Sequence, residues 1–314
     1  MGDIVRISAT GAGVPYYPEF VARALGFYEA LNLDVVVDVF GNGPVVPRNI
    51  AAGTGDIGLG GIWLPMLYRG RVTSFYPFAQ LCDRYSGVVV ARQPMENFSW
   101  SDLAGKIVLS PAGAPNTHTI LHGILRRNGV DASSMRLVAD FVNEEASNLF
   151  RGGFGDFYVL QPPASTLLIA EGAAFPVKEV SEIGQIPWSI FYAKQSFLER
   201  EDNVAGRFAL AIQRSLDWVH SHDPEEAPEV WEQFFQGMTF SQFVDAARAA
   251  KQQGVWAESI EISPTGYATW HDMILESRLI ERPMAYADLI DQRPMAWALA
   301  EHQRTSVPTS AAPS

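Results

Sequence analysis

The chain has 314 residues, enough for about two domains of roughly 150 residues each. Hydrophobic residues make up 47% and charged residues 18%, a balance that excludes a mainly disordered chain and permits a large core without disulfides or structural metal. The 35 acidic and 23 basic side chains leave a net charge of −12, which argues against nucleic acid and anionic membrane as partners, since both select basic surfaces. A small anionic ligand answers to the local field instead and is not excluded. Cys82 is the single cysteine, so neither an intramolecular disulfide nor a cysteine-based zinc cluster can form. No apolar run reaches the roughly 18 residues of a membrane span. Met1-Gly2-Asp3 leads directly into a β-rich run, with no export signal. The expected compartment is therefore the cytoplasm, or the periplasm or cell surface if a signal peptide has been removed.

In chain order, short β runs alternate with helical patterns. Strands are expected at residues 5–10, 33–40, 55–59 and 74–81. Helices are expected at 18–31, 45–52 and 62–69, with Pro65 tolerable in a first turn. The pattern then restarts, with strands at 87–92, 107–110, 135–138, 157–160 and 188–193. Between them lie helices at 101–106, 116–127, 143–150 and 164–170, and Gly129 supplies a stop for the second of these. Such alternation implies mainly parallel sheets covered by helices. From about Ser196 the β signal disappears. Helices are expected at 199–220, 228–235, 241–253, 264–279 and 285–302, followed by a disordered tail over 305–314.

One internal echo stands out. Residues 50–60 read IAAGTGDIGLG and residues 149–159 read LFRGGFGDFYV. Aligned on Gly53 with Gly152 and Asp56 with Asp156, both show a helix end, a glycine turn, an acid and a buried strand, the second copy being longer by one residue. Glycine provides the left-handed turn that ends a helix. Two copies about 100 residues apart suggest two similarly built α/β lobes, although helix–glycine–strand turns also recur by chance.

Several segments resemble one family. Gly13-Val14-Pro15-Tyr16-Tyr17, then Ala24-Leu25-Gly26-Phe27-Tyr28-Glu29, look like its opening strand, loop and helix. Gly53-Thr54-Gly55-Asp56-Ile57-Gly58 looks like its glycine–acid turn. Asp102-Leu103-Ala104-Gly105-Lys106-Ile107 looks like the start of its second lobe, and Phe197-Leu198 like its helical return. Together, over about residues 3–300, the chain resembles the sulfonate-, nitrate- and thiamine-precursor-type substrate-binding proteins of ABC importers, on the type II periplasmic binding fold. The resemblance implies an α/β fold of two lobes joined by two crossing strands, with mixed, mainly parallel sheets flanked by helices and a helical C-terminal part. Lobe one would comprise 1–88 plus 194–304 and lobe two 89–193, with a ligand in the cleft favouring closure.

The cleft of that fold is lined by loops after strands and by helix N-termini, whose free N–H groups attract anions. Four stretches qualify. Tyr16 and Tyr17 offer aromatic faces and hydroxyls, although at least one is expected to pack in the core. Gly61 allows close backbone approach, and Trp63 could stack on a ring or serve as helix packing. Asn116, Thr117, His118 and Thr119 follow a Gly/Pro loop at a helix start, where Asn116 or Thr117 could cap the helix or meet an anionic group. Gln161 is a hydrogen-bonding arm after a strand. Trp188 and Ser189, near the second crossover, complete the set. His118 and His122 stand four apart on a helix, a spacing that can bind metal, but no carboxylate or cysteine is evident nearby, so no metal and no cofactor are expected. Glu144-Glu145 and Glu225-Glu226 read as solvated faces. No G-x-S-x-G, phosphate-binding loop or dinucleotide fingerprint is present.

The expected function is a solute-binding protein, a monomer without a membrane span. It captures a small aromatic, heterocyclic or organic-anion ligand, of the thiamine-pyrimidine-precursor or organosulfonate type, for an ABC-transporter permease. The alternative is a cytoplasmic enzyme on the same fold, of synthase, desulfinase or decarboxylase type. The synthase resemblance fails where its lysine would fall on Thr54 and where its histidine is missing from 62–66. The desulfinase resemblance fails because Tyr16 and Tyr17 stand where a cysteine is needed. Cys82 is expected to be a buried, inert thiol, although nearby Arg84 would favour a thiolate.

Overall fold

The computed structural model describes residues 2–40, 43–112 and 115–306. Strand β1 (Asp3–Ala9) leads through a 3-10 turn into α1 (Tyr17–Ala24) and returns as β2 (Leu33–Val39). Then follow α2 (Val45–Ala52), β3 (Ile57–Gly60), α3 (Trp63–Tyr68) and β4 (Tyr76–Cys82). The second series is β5 (Val88–Ala91), β6 (Ile107–Leu109), α4 (Pro115–Arg127), β7 (Arg136–Val138), α5 (Asn143–Arg151), β8 (Phe157–Leu160), α6 (Ala164–Ala170), β9 (Phe175–Glu179) and β10 (Ser189–Ala193). The remainder is helical: α7 (Gln195–Leu198), α8 (Val204–Ser221), α9 (Pro228–Phe234), α10 (Phe240–Gln252), α11 (Pro264–Glu276), α12 (Tyr286–Leu289) and α13 (Gln292–Ser306).

Two five-stranded sheets result, ordered β2-β1-β3-β10-β4 and β7-β6-β8-β5-β9. They share one topology. In each, a central strand pairs in parallel with both its neighbours, and the fourth strand runs antiparallel. The expected lobe limits differ from the sheets at both ends. Val88 already belongs to β5, and β10 joins the first sheet between β3 and β4. The apolar run of β10 is fully buried, so its composition carries no sign of which sheet it enters. We take the lobes to divide near Gly87 and Ser189.

The glycine–acid echo is built into both sheets. Asp56 accepts the Arg6 N–H at 2.9 Å through Oδ2, while its own N–H donates to the Arg6 carbonyl at 2.8 Å. Asp156 does the same with Ile107, at 2.8 Å in both directions. The alignment shifts by one residue from the sequence reading. Gly152 is right-handed, and Gly153 is the left-handed residue, with φ 101° against 79° at Gly53. Pairing Gly153 with Gly53 removes the apparent insertion, so the copies match without a gap from helix end to strand. Adjacent glycines hid this, because either can adopt the turn.

Other differences have local causes. β9 was not expected, because Pro176 lies inside it. It is an edge strand with a register shift opposite Val89 and Val90, where proline is tolerated. The helix expected over 18–31 stops at Ala24, before left-handed Gly26. The helix expected over 199–220 begins only at Val204, after Asn203, which adopts φ 53°, a conformation asparagine tolerates. The segment 285–302 is two helices, split at extended Ile290, with Pro294 in the first turn of α13. Thr305 and Ser306 close α13, so the expected tail begins inside that helix, and 307–314 lie outside the described residues. No described helix is long and apolar enough to cross a membrane.

At Gly155, φ is 82° and an added Cβ would stand 2.9 Å from Leu109 Cγ. Gly155→Ala is expected to lower stability by about 1–3 kcal/mol, read as a shifted urea midpoint at unchanged m-value.

Candidate functional site

The C-terminal ends of the inner strands of both lobes converge on one cavity of about 480 Å3. From lobe one, the loop after β1 brings Tyr16, whose hydroxyl shares a 2.8 Å hydrogen bond with Thr10 Oγ1. Burial pushes the Tyr16 pKa up to about 12, so it remains a neutral phenol. After β3, the Trp63 indole lies between two glycines. A Cβ on Gly61 would stand 2.5 Å from its Cδ1 and Nε1, and one on Gly43 3.2 Å from its Cζ2. Only glycine at 61 leaves room for the ring.

Lobe two supplies the opposite wall. Asn116, in the first turn of α4, brings its Nδ2 within 3.5 Å of where a Gly61 Cβ would be, so the lobes meet there. Thr117 Oγ1 lies 3.2 Å from the Tyr85 hydroxyl. Gln161 Nε2 donates to Ser86 Oγ at 3.0 Å, so this amide is already tied to the segment linking β4 and β5. Trp188 and Ser189, on the other link, face the same cavity. The Tyr85 ring packs on Trp188 with centroids 4.5 Å apart, and an added Cβ on Gly87 would strike that tyrosine ring.

Of the candidate residues, Tyr16, Gly61, Trp63, Asn116, Thr117, Gln161, Trp188 and Ser189 border the cavity. Tyr17 does not. One residue along a helix start turns it to the opposite side, where it is 1% exposed against Phe243 and Trp256. His118 and Thr119 also lie off the cavity. Thr119 is drawn away from it by hydrogen bonds to Pro115 O and Ser277 Oγ. His118 packs edge-on against His122, and burial followed by that neighbour lowers its pKa. Among the described residues, no group of three metal-ligating side chains occurs. Gly113 and Ala114 of the same loop lie outside the described residues.

Tyr85, Thr10 and Asn143 also line the cavity and were not singled out from the sequence. Tyr85-Ser86-Gly87, an aromatic before a glycine at a strand junction, was the available signal. The cavity's described lining holds no Asp, Glu, Lys, Arg or His. The starts of α3, α5 and α6 border it, and none is closed by a side-chain cap. Helices α10 and α11, by contrast, are capped by Thr239 and Ser263. In α3 the Leu64 N–H is taken by Gly61 O and Pro65 has none, and in α6 the Ser165 N–H is taken by Gln161 O, so the start of α5 is the one suited to present backbone donors to an acceptor. Chemically, the site offers aromatic faces, amides, neutral hydroxyls and backbone donors, but no acid–base pair. Cys82 lies beneath it, donating to Pro15 O at 2.9 Å, and burial pushes its thiol pKa far up, so no nucleophilic thiolate is available.

Two similarly built lobes, linked by two segments and meeting over one cavity, define the type II periplasmic binding fold. A family model described as "NMT1/THI5 like" matches residues 15–227, a span that includes every strand from β2 to β10, and the chain belongs to that family. YtlA of Bacillus subtilis (strain 168), which carries the provisional name of binding protein, is 26% identical over 226 residues, 71% of this chain and 68% of its own. Among solved structures, the periplasmic aliphatic sulphonate binding protein SsuA from Escherichia coli has the same fold. Its TM-score is 0.76 at 15% identity, over 92% of this chain and 98% of that one. The desulfurization enzyme DSZB superposes with a TM-score of 0.70 at 14% identity, over 96% and 98%.

Asp83, in the first link, is buried, and its Oδ2 accepts from Gln185 Nε2 of the second link at 2.9 Å. Burial raises its pKa to about 6, against the opposing pull of Arg84 and this hydrogen bond. The folded chain therefore takes up a proton that the unfolded chain releases near 3.8. This group's contribution to stability falls as pH rises from about 4 to 6 and is level above that. Asp83→Asn is expected to raise stability at pH 7.5 by about 1–3 kcal/mol and to leave it unchanged at pH 4, read by calorimetric melting across pH.

Proposed function

We propose that this protein captures a small organic solute between its lobes and delivers it to the membrane subunits of an ABC importer. One observation carries the reading: the cavity takes its walls from both lobes and from both links, so a ligand there gains its full set of contacts only when the lobes stand together. The chemistry of the walls narrows the class. Trp63, Tyr16 and Trp188 suit a flat aromatic or heterocyclic body. Asn116 and the uncapped start of α5 suit acceptor atoms or a single anionic group, in line with thiamine-pyrimidine precursors and organosulfonates. The lack of a carboxylate in the described lining disfavours a cationic ligand. The family and the binding-protein relatives support this reading. Delivery to a permease places the working site on the outer side of a membrane.

Native mass spectrometry of the purified protein, followed by denaturing analysis of what co-purifies, tests it. A stoichiometric small molecule that is unchanged on incubation is expected. A bound molecule that emerges chemically altered would overturn the reading in favour of an enzyme on this fold. With the co-purified molecule as titrant, Asn116→Ala is expected to weaken binding about tenfold, the scale of one lost hydrogen bond. Equal affinity in calorimetry would remove α4 from the site.

A further inference from the structure

The cleft is not the sole place where the lobes touch. Helix α4 of lobe two, whose first turn carries Asn116 and Thr117, also packs its side against α11 of lobe one. Thr119 Oγ1 donates to Ser277 Oγ at 3.2 Å. Met273 fills the space that Gly123 leaves, its Cε standing 2.0 Å from where a Cβ would be. Arg126 reaches Glu276 at 2.9 Å. Residues 119, 123 and 126 share one helix face by their spacing. Thr119 is 3% exposed and Met273 1%, so this is a closed interface rather than a surface brush.

The partner helix is anchored to lobe one. The segment before α11 pairs with β4 through Gln80 N to Ile260 O and Ala257 N to Leu81 O. Trp270 of α11 packs on Trp188 of the second link. At Gly123 the α4 backbone is covered by the Met273 side chain, so a rotation of one lobe that parts α4 from α11 uncovers this contact. We propose that the α4–α11 packing is a latch outside the ligand cavity that sets how large a fraction of molecules holds the lobes together. Because α4 also carries Asn116 and Thr117, the latch presents them to the cavity. Resting on the binding reading above, it scales the cleft's apparent affinity through the fraction of competent molecules.

The test measures lobe opening directly. Spin labels are placed at Asp38→Cys on β2 and Glu144→Cys on α5, both exposed, while buried Cys82 stays unlabelled. Distances are read by pulsed electron resonance on full-length protein freed of small molecules by unfolding and refolding. Gly123→Leu, which wedges the helices apart, is expected to move the distribution to longer distances. Arg126→Glu, a surface change that leaves the core intact, is expected to raise the open-to-closed ratio about twofold to fivefold, the scale of an exposed ion pair. Arg126→Glu combined with Glu276→Arg is expected to restore it. An unchanged distribution in folded Gly123→Leu, or a shift in Arg126→Glu that the reversed pair does not restore, overturns the latch. If Gly123→Leu does not fold, the charge pair decides alone, and no effect of Arg126→Glu then overturns it. These readings need no bound solute. A protein that bound none would refute the transport function and leave the latch result standing.

Discussion

In each lobe, a carboxylate at the foot of an inner strand holds the neighbouring strand by its backbone. Asp56 grips Arg6 and Asp156 grips Ile107 through paired donor and acceptor bonds. A parallel pair has no hairpin to fix its register, so these clamps do so. The glycines before them let the chain turn sharply enough to bring the acid into place. Once β3 is set against β1 and β8 against β6, the C-terminal ends of each pair fall within two residues of one another, and the loops that leave them border the same cavity. The cavity is a consequence of that alignment as much as of the side chains that line it.

The duplicated lobes divide the work differently. Lobe one contributes aromatic surface, with Trp63 held between Gly43 and Gly61. Lobe two contributes amides and hydroxyls at helix starts. The links are not passive tethers, because Tyr85 and Trp188 pack against one another with their rings tilted by 58° and line the cavity themselves. Movement of the lobes and the shape of the site are therefore coupled through the same side chains.

Much of this was legible in the sequence, for physical reasons. Strands β2, β5 and β8 are apolar runs between turn residues, and no other structure suits them. Helices α2 and α6 were bounded to the residue by glycine and by strand ends. β9 was not legible, because a proline argues against a strand unless its place at an edge is known. The cavity wall was legible where a loop follows a strand, as at Gly61, Asn116 and Gln161. It was not legible where orientation decides. Tyr16 and Tyr17 are chemically alike, and a helix start separates them into a cavity wall and a core residue. Thr119 looked like part of the α4 anion site and instead faces α11, because no local pattern reports which helix of the other lobe lies alongside.

The uncharged lining of the cavity has a thermodynamic corollary. With Tyr16 and Tyr85 held protonated by burial and no Asp, Glu, Lys, Arg or His among the described wall residues, a ligand can enter without the wall exchanging protons with solvent. Attraction comes from fixed dipoles and ring faces inside the protein rather than from mobile charged side chains, so dissolved ions have little to shield. A receptor of this design keeps its grip as the acidity and salinity around it vary, and its selectivity falls to shape and hydrogen-bond pattern.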